Sequence, residues 1–205
     1  MNVFVVAVFG AVIGSMCASV SQLLGIAIDA TWRMSPRTRI AALVIGGATG
    51  TAVRGMAFHE AVAVSGLAAL LIVQAPIDFV FRRLARAPTI LATVFFQGVQ
   101  LAKVTEVGWW DGWWKSNITV LSITVVFSIT HRVSKESLGW GDVLLVIPTG
   151  MAVALSEVSL VMRWLLLASL TTSLHGVAIR LRGRRFIPFG PHLLFAAWFV
   201  SIIEV

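Results

Sequence analysis

The sequence predicts an all-α integral membrane protein of about eight transmembrane helices, with both termini outside. Three observations carry that prediction. Hydrophobic residues make up 58% of the chain and charged residues only 12%, about half the charge an ordinary soluble domain carries. The apolar residues come in long runs broken by short charged segments, without the polar alternation of a half-solvated helix or strand. Most of the Lys and Arg residues sit in four of those short segments. Inside hydrocarbon the backbone must satisfy its own hydrogen bonds, which leaves helices or a closed barrel. The alternating segments of a barrel are absent, so the spans are helices.

The runs place the spans in order at Val3 to Ile28, Ile40 to Phe58, Glu60 to Ile77, Thr89 to Val104, Asn117 to His131, Asp142 to Leu155, Leu160 to Ile179 and Ile187 to Val205. The fifth and sixth are short. At 1.5 Å per residue, ~15 residues reach only ~22 Å of a ~30 Å hydrocarbon core, so these two are expected to dip, lean on neighbours or thin the bilayer. Gly10 with Gly14, and Gly46 with Gly50, have the small-residue spacing that lets two helices approach closely. Residues 1–205 form a single membrane domain with no soluble domain and no linker. Met1 to Ala30 contains no Lys or Arg, so the first helix is expected to be retained and not cleaved as a secretory signal.

Orientation follows from the basic residues. One set of loops holds Arg33, Arg37 and Arg39, then Arg82, Arg83 and Arg86, then Arg132 and Lys135, then Arg180, Arg182, Arg184 and Arg185. The opposite set holds only Arg54, Lys103, Lys115 and Arg163. The richer set belongs in the cytoplasm. Trp109, Trp110, Trp113 and Trp114 then fall at the outer headgroup level that tryptophan prefers. The same distribution accounts for the net charge of +7, so the lipid bilayer is the expected partner and nucleic acid is not. A single cysteine, Cys17, rules out a disulfide framework within the chain. His59, His131, His175 and His192 are scattered without metal-ligand spacing, so no metal site is expected. Ser15, Ser19 and Ser21 have no histidine partner in view, which disfavours serine chemistry.

Ionisable groups in or near a bilayer are costly and are functional candidates for that reason. Seven of the nine acids, Asp29, Glu60, Glu106, Asp111, Glu136, Glu157 and Glu204, sit in loops or near span ends where water can solvate them. Asp78 and Asp142 stand apart. Asp78 ends the run Leu70 to Ile77, and Asp142 begins the run Val143 to Ile147, both at the cytoplasmic ends of spans. Two carboxyl groups brought close at one depth cannot both ionise easily, and they titrate as a unit. The ionised member then takes a proton from water while its protonated partner polarises a carbonyl, which is peptide hydrolysis without a metal. The structural alternative pairs Asp78 with Arg82 four residues on and makes Asp142 a helix N-cap. Gly139 and Gly141, having no side chains, would let a neighbouring backbone approach Asp142.

The segment Leu138-Gly139-Trp140-Gly141-Asp142-Val143 resembles the glycine-x-glycine-aspartate motif of the prepilin peptidases, the type IV leader peptidases of the intramembrane aspartyl protease class. Arg184-Arg185-Phe186-Ile187-Pro188-Phe189-Gly190-Pro191 resembles the segment that family carries before its last helix. Ile77-Asp78 with Arg82-Arg83-Leu84 resembles its first-aspartate segment, and Gly14-Ser15 the start of its N-terminal motif. The four landmarks stand in the family's order along nearly the whole chain. The resemblance implies catalytic roles for Asp78 and Asp142, with Gly139, Gly141, Pro188 and Gly190 at the approach of the substrate. It also implies a prepilin-like protein substrate cut at the cytoplasmic face of a bacterial inner membrane. Glu136 stands beside that site in the sequence as a candidate contact for basic residues of the leader, and the surrounding arginines argue against a strong contribution.

The sequence departs from that pattern in several places. Ala85 stands where the family usually has proline, Leu144 where it often has lysine, and Met16 and Ala18 where it has phenylalanine and often asparagine. Only Asp29 to Arg39 fills the place of a cytoplasmic insertion with paired cysteines. N-methylation of the new terminus, the family's second activity, is therefore left open. No glycine-rich nucleotide motif is present, and no cofactor is expected. Two other functions fit a multi-span chain with buried acids: a proton-coupled transporter and a non-catalytic membrane assembly protein. Oligomeric state is not legible from the sequence.

Overall fold

The computed structural model describes residues 3–82, 84–134, 138–181 and 188–203. All regular structure among them is helical: α1 (Val3–Ile28), α2 (Pro36–Ala52) with a 3-10 turn at Val53–Gly55, α3 (Phe58–Phe81), α4 (Arg86–Val107), α5 (Trp110–Ser134), α6 (Trp140–Ala154), α7 (Leu160–Arg180) and α8 (Gly190–Ile203). Four helices, α1, α3, α4 and α7, are long and apolar enough to cross a membrane. The outer faces of these helices carry exposed leucine, valine and methionine, among them Leu23, Leu91, Val94, Leu166 and Leu174. So broad an apolar surface would be a liability in water and is what a bilayer requires. The chain is a membrane protein.

The expected and observed helices agree in order. The fifth helix runs for 25 residues, beyond the apolar run Asn117 to His131, because a polar segment extends it at its start; it is not among the four helices long and apolar enough to cross a membrane. In that polar segment Lys115 pairs with Asp111 one turn earlier at 2.6 Å. The sixth helix is short, at 15 residues. It lies inside the bundle, with ten residues buried from Asp142 to Ala154, so its neighbours and not lipid cover it. In α8 the described helix begins at Gly190; Ile187, Glu204 and Val205 lie outside the described residues.

The core gathers Leu67 of α3, Phe96 of α4, Leu145 of α6, Trp164 of α7 and Leu193 of α8, each at most 1% exposed. Buried polar side chains fix the helices against one another, as interhelical hydrogen bonds do in lipid. Gln100 of α4 donates to Ser116 Oγ at 2.8 Å and to the Met151 carbonyl at 2.9 Å, joining α4, α5 and α6. Trp164 Nε1 donates to the Leu193 carbonyl, and Trp198 Nε1 to Thr49 Oγ1. The paired glycines of α1 and α2 face each other as their spacing predicts. A Cβ on Gly10 would lie 2.2 Å from the Gly46 carbonyl oxygen, and one on Gly46 would lie 2.3 Å from that of Gly10. Only glycine permits this backbone contact.

The connections gather at two ends. The Trp32 ring between α1 and α2 lies 5.7 Å from that of Phe81 at the end of α3, tilted against it, and Leu84 after α3 lies against Gly141 and Gly190 at the starts of α6 and α8. The arginine-rich connections therefore share one end of the bundle. At the other end Lys103 donates to the Leu155 carbonyl at 2.9 Å, lies 3.7 Å from Glu60 and covers the Trp109 ring. His59 Nε2 sits 3.2 Å from Glu106. Glu60, expected to be solvated, is instead part of this packed polar cluster. Of the basic residues counted above, Arg83, Lys135, Arg182, Arg184 and Arg185 lie outside the described residues, as does Glu136.

Candidate active site

Asp78 lies in the last turn of α3. The helix ends one turn later because Arg82 takes a left-handed conformation, φ 54°, and donates its backbone N–H to the Asp78 carbonyl at 2.9 Å. Arg82 is thus the cap that ends α3. Asp142 lies in the first turn of α6, three residues after Gly139, which is the N-cap. The expectation of Asp142 as the N-cap is corrected by this register. Its carboxylate turns back to accept the Gly139 backbone N–H at 3.2 Å, which satisfies one of the unpaired amides at the helix start.

The start of α8 brings the two acids together. A Cβ on Gly190 would stand 3.0 Å from Asp78 Oδ2 and 3.2 Å from Asp142 Oδ1. Both oxygens lie around that one point, so they are no farther apart than the two distances combined, about 6 Å. Within that limit both carboxyls can reach the same water molecule or peptide carbonyl. Asp78 and Asp142 are 6% and 9% exposed. Asp78 Oδ2 is fully buried and has no hydrogen-bond partner among the described residues. Burying a carboxyl oxygen in this way is costly.

The approach residues are placed unequally. Gly139 is exposed beside the Asp142 carboxyl. Gly141 is half-buried, and the space where its Cβ would be is taken by Leu84, whose Cβ lies 3.1 Å away. Gly190 touches both acids. Pro188 is buried ahead of α8, next to Phe189, whose ring lies 6.1 Å from that of Phe127. The remainder of that segment, Arg184 to Ile187, lies outside the described residues.

Sequence reasoning missed the support of Leu84. Gln74, wholly buried in α3, donates to the Ala85 carbonyl at 2.8 Å and to Thr89 Oγ1 at 2.9 Å, and accepts the Ala85 N–H at 3.0 Å. One side chain thereby pins the connection that carries Leu84 against the starts of α6 and α8. The available signal was an amide side chain inside an otherwise apolar run. The arrangement also accounts for Ala85 in place of proline: proline has no N–H to give Gln74. Ala85→Pro fits the backbone, with φ −69°, yet strips a buried acceptor of its donor. It is expected to cost about 1–3 kcal/mol, read as a lower unfolding midpoint in detergent. Adding Gln74→Leu to Ala85→Pro should cost less than the two single changes combined.

The histidines are less scattered than their spacing suggests. His175 of α7 and His192 of α8 meet at 2.8 Å between Nδ1 and Nε2, and Phe79, beside Asp78, packs edge-on to His175. Among the described residues no three metal-ligating side chains converge. No family model, no curated protein and no solved structure matches this chain.

Proposed function

We propose that the chain is an intramembrane aspartyl endopeptidase that removes short basic leaders from prepilin-like precursors. In this reading about eight helices cross a bacterial inner membrane, both termini lie outside, and the arginine-rich end of the bundle is cytoplasmic. The observation that carries it is the meeting of the Asp78 and Asp142 carboxyls around Gly190. They come from helices 64 positions apart in the chain, and a pair of acids converging in a buried place has a cost that function explains better than stability does.

The chemistry needs only the two acids and water. The ionised carboxyl takes a proton from water as its oxygen attacks the scissile carbonyl carbon. The protonated carboxyl donates a hydrogen bond to the carbonyl oxygen as negative charge develops there. Collapse of the tetrahedral intermediate breaks the C–N bond and delivers a proton to the leaving amine. The pair ends with the single proton it started with. Gly139 offers the exposed backbone beside Asp142 along which an extended strand fits.

The test is cleavage of a leader-bearing peptide by the purified protein in liposomes, measured across pH. Activity should fall at low pH, where both carboxyls are protonated and no base remains, and at high pH, where both are ionised and no acid remains. A profile flat across the carboxylate range would remove the shared proton from the mechanism. Proton flux in the same liposomes without any cleavage would replace the peptidase reading by a transporter.

A further inference from the structure

A cavity of about 760 Å³ lies between α2, α3 and the start of α8. Its walls are mostly apolar, with Ala41, Ile45, Ile72, Phe79 and Phe195 lining it and Thr171 and His192 adding polar groups. It opens outward, since Phe79 and Phe195 are 50% and 38% exposed. At one end stand Arg33, Ser35, Arg37 and Thr38. No acidic residue lines it among the described residues.

We propose that this groove binds one acyl chain of an anionic phospholipid, with the phosphate held at the start of α2. Four observations converge. From Ser35 to Ile45 the α2 wall is ten residues long, ~15 Å at the helical rise, about half of the ~30 Å hydrocarbon core. The groove thus has the depth of one leaflet. The arginines stand at one end of it only, where the headgroup of a chain lying in the groove belongs. The first turn of α2 contains Arg37 and Arg39 and no acid, although the amino end of a helix favours negative charge. A bound phosphate would offset that repulsion; because Pro36 has no N–H and the Thr38 N–H is taken by Ser35 Oγ at 3.2 Å, the arginine side chains are what hold it. Arg33 Nη1 is held by the carbonyls of Ala30 and Trp32, which fixes the guanidinium and leaves its other N–H groups for an oxyanion.

The same charges decide against the other apolar occupant, the hydrophobic segment of a substrate. A basic leader would bring positive charge to a mouth already lined by two arginines. The lipid site stands whether or not the chain cleaves peptides.

The experiment is native mass spectrometry of the full chain released from detergent, after addition of phosphatidylglycerol or phosphatidylcholine with identical acyl chains. Phosphatidylglycerol is expected to be retained over phosphatidylcholine. Arg33→Gln and Arg37→Gln should each lower that preference by about fivefold, and the pair by roughly 20-fold. Ala41→Trp, which fills the groove from its exposed side without changing charge, should lose phosphatidylglycerol retention as well. Soluble glycerol phosphate should not compete, because it has no chain for the groove. Equal retention of both lipids, a preference unchanged in the double arginine variant, or displacement by glycerol phosphate would each overturn the proposal. So would a photo-crosslinker at position 41 that captures an apolar peptide in preference to lipid in phosphatidylglycerol vesicles.

Discussion

Asp78→Asn and Asp142→Asn are each expected to leave the protein folded in the membrane and to lower leader cleavage by at least ~10²–10⁴-fold, the usual contribution of a positioned acid or base. Asparagine keeps the size and shape of the side chain. In Asp142→Asn the amide oxygen can still accept the Gly139 N–H that the carboxylate accepts at 3.2 Å. At Asp78 the amide that replaces one oxygen stands beside the Asp142 carboxyl, which can accept from it, so the fold should be kept. What each change removes is the ability to exchange a proton, and a pair needs both members for that. The double variant should therefore be scarcely worse than either single one, as for residues that act as a unit. Cleavage retained in either single variant, with the protein correctly inserted, would take that residue out of the mechanism.

Gly190→Val should be nearly as damaging, for a reason of space and not of charge. A first carbon at this position would stand 3.0 Å from Asp78 Oδ2, 3.2 Å from Asp142 Oδ1 and 3.1 Å from Leu84 Cδ1. Alanine asks each neighbour to give by a few tenths of an ångström. Valine adds two methyl groups to the space in which a water or a carbonyl must stand between the acids. Misplacing reacting groups by about 1 Å costs on the order of 10²-fold. Gly190→Ala is expected near that loss in kcat and Gly190→Val well beyond it, with the helical content of α8 unchanged. If Gly190→Val cleaves as the parent does, the reacting groups do not meet at the start of α8.

Both predictions rest on a place that was half visible in the sequence. The two aspartates could be singled out because each interrupts the edge of an apolar run, where a charge is costly. That they meet was not legible. In a water-soluble helix the polar and apolar faces tell which side turns inward. In lipid an apolar side chain suits the core and the bilayer equally, so the rotation of each helix about its axis leaves almost no trace in the pattern. The meeting of His175 with His192 and the part played by Gln74 escaped for the same reason. Each depends on which way one helix faces another.

The sequence by itself determined the solvent of this protein, the order of its helices, the close glycine contact of α1 with α2, and the segregation of its arginines. These follow from composition, run length and the steric emptiness of glycine, all of which are local. Tertiary structure alone decided that α6 lies sheathed by its neighbours, that α8 begins between two carboxyls, that Leu84 lies against the starts of α6 and α8, and that an apolar groove ends at Arg33 and Arg37. Those features arise where separate helices meet, at contacts of about 3 Å between residues distant in the chain. Such contacts are set by how the whole bundle packs, and no single segment encodes them.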